Sequence, residues 1–281
     1  MDFINDQNEL TPVQLIDGIY IKRDDMYRPF DSKSVNGGKL RQCFMLVEKI
    51  KDDFSGIVSC CSVYSPQGPI TAAVANWFGL PCVICYGATT KERLQQFRMP
   101  SIASRFGAEN IIVSKSGIHK ILYRKVRPIA EERGWFVVDY GINIVDYPDI
   151  MFNAVSRQVE NIPDEIDHLY ITCGSGISSI GVMLGLHEYK KKVGEIVLVA
   201  TAPNRKKLID SVLDARGIKL NYSIVDLFHQ NGFSYEVGEH AQIGDIVLHP
   251  NYEAKTFRYM KKNMREGESY LLWNVGVKPM R

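Results

Sequence analysis

Three short segments of this 281-residue chain carry side chains whose types and spacing could do chemistry. The first joins Ile21-Lys22-Arg23-Asp24-Asp25 to Asn36-Gly37-Gly38-Lys39-Leu40-Arg41. Paired glycines permit positive-φ backbone and let a ligand approach the main chain closely. A lysine directly after them, at the mouth of a helical pattern, stands beside whatever they admit. Its amine can form an imine with an aldehyde, above all where nearby positive charge or desolvation lowers its pKa. An exposed lysine at a helix start is the plain alternative. The second segment is Cys173-Gly174-Ser175-Gly176-Ile177-Ser178-Ser179-Ile180-Gly181. Successive N–H groups and hydroxyls at the positive end of a helix suit a phosphate, although a simple turn has the same composition. No Gly-Lys-Ser/Thr follows, so it is not a P-loop, and its third glycine falls at the wrong place for GxGxxG. The third segment, Pro250-Asn251-Tyr252-Glu253-Ala254-Lys255, sets a phenol beside a carboxylate; an exposed surface turn would look the same.

These segments need a frame. Short apolar runs at 18–21, 56–63, 81–86, 110–114, 135–139, 168–173, 195–200, 245–248 and 269–274 read as strands. Between them, amphipathic stretches at 40–50, 69–78, 90–106, 118–133, 148–159, 179–191 and 205–216 read as helices. Val- and Ile-rich strands separated by helices of this size predict an α/β fold with parallel sheets. Residues 56–139 read as a four-strand lobe inserted in a larger one. In such sheets ligands sit beyond the carboxyl ends of strands, in the loops that lead into helices. All three segments fall at such places.

Composition narrows the partners. A formal net charge of +2 demands neither nucleic acid nor a membrane surface. The runs Lys190-Lys191-Lys192 and Arg205-Lys206-Lys207 read as solvated helix faces, with phosphate-backbone contact as the other reading. No apolar stretch approaches the length of a bilayer span, and the polar, acidic start lacks the plan of a signal peptide. The cysteines read as buried thiols: Cys82-Val83-Ile84-Cys85 has metal-like spacing, but no second such pair completes a site. A cytoplasmic location is expected, with no metal.

Taken together and in order, these segments resemble the fold type II (β-family, tryptophan synthase β-like) enzymes that use pyridoxal 5′-phosphate (PLP). Within them they are similar to the branch of 1-aminocyclopropane-1-carboxylate (ACC) deaminase and D-cysteine desulfhydrase. Thr11-Pro12-Val13 and Ile19-Tyr20-Ile21-Lys22-Arg23-Asp24-Asp25 look like that branch's "TPL…IWIKRDDL" opening, and Asn36 to Arg41 like its "GGNKxRK". Gly174-Ser175-Gly176-Ile177-Ser178 resembles "GSGGT", with Ile177 in place of a glycine, and His249 to Lys255 resembles "DPVYEGK". The resemblance implies two parallel-sheet α/β lobes with the cofactor between them: a large lobe of 1–42 and 141–281, and a small inserted lobe of 43–140. It implies that Lys39 carries PLP as a Schiff base and acts as acid and base at Cα. It further implies that Gly174, Ser175, Gly176, Ile177 and Ser178 hold the phosphate, that Glu253 meets the ring nitrogen and that Tyr252 is a second acid/base. Ser65, catalytic in this reading, and Gln67 would contact the substrate carboxylate.

Two departures stand out. In Tyr64-Ser65-Pro66-Gln67-Gly68, Pro66 occupies the place of an asparagine that bonds the cofactor's phenolic oxygen, and proline has no side-chain donor. After Val237-Gly238-Glu239, His240-Ala241 stands where the branch has a second tyrosine, and a helix is missing there. The expected activity is breakage of a bond at the Cα of an amino acid, with a lyase or deaminase first. The alternatives are a decarboxylase or lyase of an amino acid joined to a nucleotide or modified DNA, and an inactive binding protein on the same fold. A homodimer is the expected assembly.

Overall fold

Residues 4–30, 34–142 and 146–276 are described by the structure, a computed structural model. In chain order the elements begin with β1 (Val13–Ile16), β2 (Ile19–Arg23), α1 (Gly38–Ile50), β3 (Ile57–Cys60), α2 (Gln67–Trp77) and β4 (Cys82–Gly87). Then come α3 (Lys91–Leu94), α4 (Arg98–Arg105), β5 (Glu109–Ser114), α5 (His119–Arg133), β6 (Phe136–Val138) and α6 (Pro148–Ser156). The chain continues through β7 (Glu165–Cys173), α7 (Ile177–Glu188), β8 (Lys192–Ala200), α8 (Lys206–Asp214) and β9 (Tyr222–Asp226). It closes with β10 (Gln242–Ile243), β11 (Ile246–Val247), α9 (Glu253–Asn263) and β12 (Tyr270–Asn274). No helix among the described residues is long and apolar enough to cross a membrane.

The chain folds as two units. Of the described residues, one unit takes 4–30, 36–38 and 151–276, and the other takes 34–35, 39–142 and 146–150. The first unit holds a sheet of order β1-β2-β12-β7-β8-β9, parallel throughout except for the β1–β2 hairpin. The last five residues of β7 and of β8 are all buried, the mark of parallel strands covered on both faces. Chain order runs outward from β7 through β8 to β9, then returns to β12 on the other side of β7. The carboxyl ends of β12 and β7 therefore form a topological switch point, where ligands of such sheets bind.

Two helices fix what sits there. A hydroxyl pair, Thr172 to Thr256 at 2.7 Å, ties the first turn of α9 to the end of β7. The apolar side of α9, with Ala254 and Met260, covers Ile19, Ile21, Tyr170 and Leu272. Below α7, Gly181 and Gly185 let the 152–159 segment approach closely: a Cβ on Gly185 would lie 2.4 Å from the Ser156 carbonyl oxygen.

The second unit holds a four-stranded parallel sheet of order β5-β4-β3-β6. Leu122, Val126 and Ala130 of α5 pack on Val58, Cys60, Val83 and Cys85. Here β3 leads outward to β4 and β5 while β6 lies on the other side, so the exits of β3 and β6 form a second switch point.

The structure corrects several expected elements. The single helix expected over 90–106 is two, α3 and α4. Pro100 falls in the first turn of α4, where its missing N–H costs no helix bond. Strands β1 and β9, absent from the sequence reading, pair at the two edges of the large sheet, and their half-exposed residues give no continuous apolar run. The strand expected at 245–248 is only one arm of the short β10–β11 hairpin.

The Gly185 contact yields a first test. Gly185→Ala places a methyl group against backbone, and overpacking of this kind costs about 1–3 kcal/mol. Urea unfolding should show that loss, whereas Gly79→Ala, with nothing within 4 Å of the added carbon but a φ of +69°, separates crowding from backbone strain.

Candidate active site

At the end of β12 the Gly37-Gly38 turn is clamped by the main chain. The Gly37 N–H donates to the Tyr27 carbonyl at 2.8 Å, and the Gly38 N–H donates to the Val275 carbonyl at 3.0 Å. Gly37 has φ +94°, and a Cβ there would lie 2.1 Å from the Val275 oxygen. A Cβ on Gly38 would lie 2.2 Å from Asp24 Oδ2. Both positions require glycine. Lys39 follows as the second residue of α1 and is half-buried.

The preceding Lys22-Arg23-Asp24-Asp25 run is structural. Lys22 Nζ donates to the Thr11 carbonyl and to Asn161 Oδ1, each at 2.6 Å. Arg23 forks onto Asp25 at 2.9 and 2.8 Å. Burial pushes the Asp25 carboxyl up, against the pull of that guanidinium.

One strand over, β7 leaves into residues 174–178. Gly176 caps α7 in the left-handed region at φ +88°, so the first-turn N–H groups at 177–179 face past the strand end, as at any helix start. Ile177 is buried, which explains how an isoleucine stands among small residues: its side chain joins the core and leaves its N–H in the loop. Among the described residues, buried polar atoms nearby have no hydrogen-bond partner: Ser179 Oγ in the first turn of α7, Thr201 Oγ1 after β8, and both amide atoms of Asn274 at the end of β12. Buried polar groups are normally satisfied, so such a group asks for a partner from outside the chain.

The third segment opens α9. Glu253 is its first residue and is buried. Tyr252, just before it, packs on the His249 ring at 4.9 Å and shares a hydroxyl–hydroxyl hydrogen bond with Tyr235. Asn251 Nδ2 and Lys255 Nζ donate to the Tyr235 and Ser234 carbonyls, each at 2.7 Å, and so hold the 233–235 segment in place. Burial lowers the Lys255 pKa. Tyr235 escaped the sequence reading, which looked for a second tyrosine at His240-Ala241. Its place beside Tyr252 depends on a loop path that no local motif announces.

In the other unit, Ser65 and Gln67 lie at the β3 exit, but they play different parts. Gln67 Nε2 donates to Ser59 Oγ at 2.9 Å and to the Asp139 carbonyl at 2.8 Å, and its Oε1 accepts the Gly141 N–H at 2.7 Å. The amide is 2% exposed and committed to joining the exits of β3 and β6. The expected contact of that amide with substrate is therefore not what this geometry offers. Ser65 Oγ accepts the Gln67 N–H at 3.2 Å and keeps its own proton to donate. Gln67→Leu should strand the buried Gly141 N–H, at a cost of about 1–3 kcal/mol, and remove one hydrogen bond each from Ser59 Oγ and the Asp139 carbonyl, which keep other partners; a melting temperature equal to the parent's would contradict the bracing role.

The comparisons with known proteins agree with this layout. Residues 6–227 match the family model described as pyridoxal-phosphate dependent enzyme. The chain is 26% identical to the O-seryl-dTMP PLP-dependent decarboxylase of Salmonella phage ViI, over 93% of this chain and 78% of that protein. It is 25% identical to a putative 1-aminocyclopropane-1-carboxylate deaminase of Thermotoga maritima, over 94% of this chain and 92% of that one. Among solved structures, an ACC deaminase homologue superposes with a TM-score of 0.74 at 19% identity, covering 96% of this chain and 90% of that one. O-ureido-L-serine synthase superposes at 0.67 and 16%, covering 98% and 92%. These two likenesses speak to fold. With the family model spanning most of the chain, a glycine turn clamped to the end of β12 just before Lys39, and a Gly-Ser-Gly loop leaving β7, this chain belongs to the pyridoxal-phosphate dependent enzymes of fold type II.

Proposed function

We propose that this chain is a PLP-dependent lyase that removes the carboxylate from the Cα of an amino acid joined to a nucleotide. The observation that carries this reading is the likeness, along 93% of the chain, to a decarboxylase named for O-seryl-dTMP. Elimination from a small free amino acid, first in the sequence reading, becomes the second reading. The likeness to the putative deaminase, and the resemblance of the Tyr252-Glu253 pair to that branch's motif, support it.

The groups present fit PLP. The 174–178 loop offers N–H groups and hydroxyls to a phosphate, and Ser179, Thr201 and Asn274 are buried polar groups in need of partners. When bound, PLP supplies an electron sink for charge developing at Cα. Lys39 is the amine that anchors the aldehyde and then carries a proton to or from Cα. Glu253, buried at the start of α9, holds a proton at the ring nitrogen. Tyr252, oriented by Tyr235, donates or accepts a second proton. Ser65 meets the carboxyl group, while Gln67 braces the turn that carries Ser65. A cytoplasmic homodimer completes the reading, and six free, buried thiols support a reducing compartment.

Two experiments test it. Borohydride reduction of the yellow holoenzyme followed by peptide mapping should place the phosphopyridoxyl group on Lys39; a label on Lys22 or Lys33 overturns the assignment. Product analysis with O-seryl-dTMP and with free D-serine and D-cysteine should find carbon dioxide from the conjugate, and ammonia with pyruvate from the free amino acids reverses the order of the two readings. In the same assay Glu253→Gln should retain PLP yet lose about a hundredfold or more in turnover, the usual scale for removing a preorganised charge. Normal turnover would remove Glu253 from the machinery.

A further inference from the structure

The start of α2 is unusual in what it lacks. A helix start ordinarily leaves its first N–H groups unbonded, and these make a ready seat for a carboxylate or phosphate. Helix α2 runs 11 residues, begins just past the exit of β3 and lies at the switch point of its own sheet, where a ligand-facing helix start is expected. Yet Pro66, at the cap, has no N–H. The Gln67 N–H is turned onto Ser65 Oγ at 3.2 Å. The Gly68 N–H faces the Cys61 sulfur. Pro69, in the third helical position, has no N–H either. The Ile70 N–H makes the ordinary helix bond to the Pro66 carbonyl at 3.0 Å. Residues 61–71 contain no lysine, arginine or histidine, and the Gln67 amide is spent elsewhere. Two prolines and two inward-turned amides have disarmed this helix start.

We infer that this disarmed start of α2 sets the reaction's outcome by leaving the substrate carboxylate with almost no hydrogen bonds. The inference rests on the proposed reading in one respect, that the carboxylate meets this turn. A carboxylate gripped by charge-assisted hydrogen bonds loses them as it becomes neutral carbon dioxide, so each such bond stabilises the ground state over the transition state and slows the step by roughly tenfold. Held against proline rings and the Ser65 hydroxyl alone, the same group has little to lose. The Cα–carboxylate bond breaks, its electron pair stays at Cα, carbon dioxide departs and one proton is added at Cα. An amino acid R–CH(NH3+)–COO− and a proton become R–CH2–NH3+ and carbon dioxide, with no oxidant or reductant required. Pro66, Pro69, Ser65 and Cys61 are thus specificity-determining residues, the last two because they hold the Gln67 and Gly68 N–H groups.

The test titrates the holoenzyme with L-serine and with ethanolamine, which is serine without its carboxylate, following the visible absorbance of the cofactor. The wild type should bind the two within a few fold of each other. Pro69→Ala returns one N–H to the helix start and should tighten L-serine by about tenfold while leaving ethanolamine unchanged. It should also slow carbon dioxide release from O-seryl-dTMP in proportion. Pro66→Asn is the companion variant should the alanine protein fail to fold, and the wild-type comparison needs no variant at all. A wild type that prefers L-serine over ethanolamine by tenfold or more overturns the inference, as does a folded Pro69→Ala protein with unchanged affinities. Equal binding of both ligands with no carbon dioxide from any substrate would instead sink the proposed function and leave the disarmed helix standing.

Discussion

The hydrogen bond from the Gly38 N–H to the Val275 carbonyl is the constraint on which the site depends. It joins the turn that carries Lys39 to the end of β12, which comes some 240 residues later in the chain (275 − 38 = 237). Only two glycines can make that approach, because a Cβ on either would sit inside the contact distance of an oxygen atom. The turn that precedes the lysine therefore depends on the C-terminal strand for one of its two main-chain anchors. The return of the chain from β9 through α9 to β12 is what brings the Val275 carbonyl there.

The same return places the other candidate groups of the large unit. Because β12 inserts beside β7, the 174–178 loop leaves the strand next to the one whose end holds the Gly37-Gly38 turn. Because α9 runs back over the sheet, its first turn lies at the carboxyl edge, tied there by the Thr172–Thr256 pair. Glu253 and Tyr252 thus come from the end of the chain to the same edge. The register of β12 on β7 pairs Trp273 with Ile171, so Asn274 falls beside Thr172. Polar residues accumulate at this edge and apolar ones in the body of the sheet, which is how parallel α/β units separate stability from chemistry.

The small unit solves a different problem. Its switch point is braced from inside by the Gln67 amide, which satisfies both donors and its acceptor with Ser59, Asp139 and Gly141. A buried amide so fully engaged rigidifies the loops it joins. The side chain that the resemblance would give to substrate is here part of the frame, and the serine two residues earlier is what it frames. Rigid presentation of few donors, rather than many donors, distinguishes this turn.

The sequence by itself determined the family and the α/β class, and it marked the segments proposed to do the chemistry, because each depends on local physics. A glycine pair before a lysine, a Gly-Ser-Gly turn after a Val/Ile strand and a tyrosine before a glutamate are short patterns whose conformations are set by neighbours in the chain. Strands buried on both faces announce themselves as apolar runs, which is why β7, β8 and β12 were legible and the half-exposed edges β1 and β9 were not. The tertiary structure alone decided which polar groups are spent and which remain. Gln67 looked like a substrate contact until Ser59 and Asp139 were seen to occupy it, and Tyr235 looked like loop until its hydroxyl met Tyr252. Hydrogen-bond partners come from strands and loops far apart in sequence, so a side chain's availability is a property of the fold.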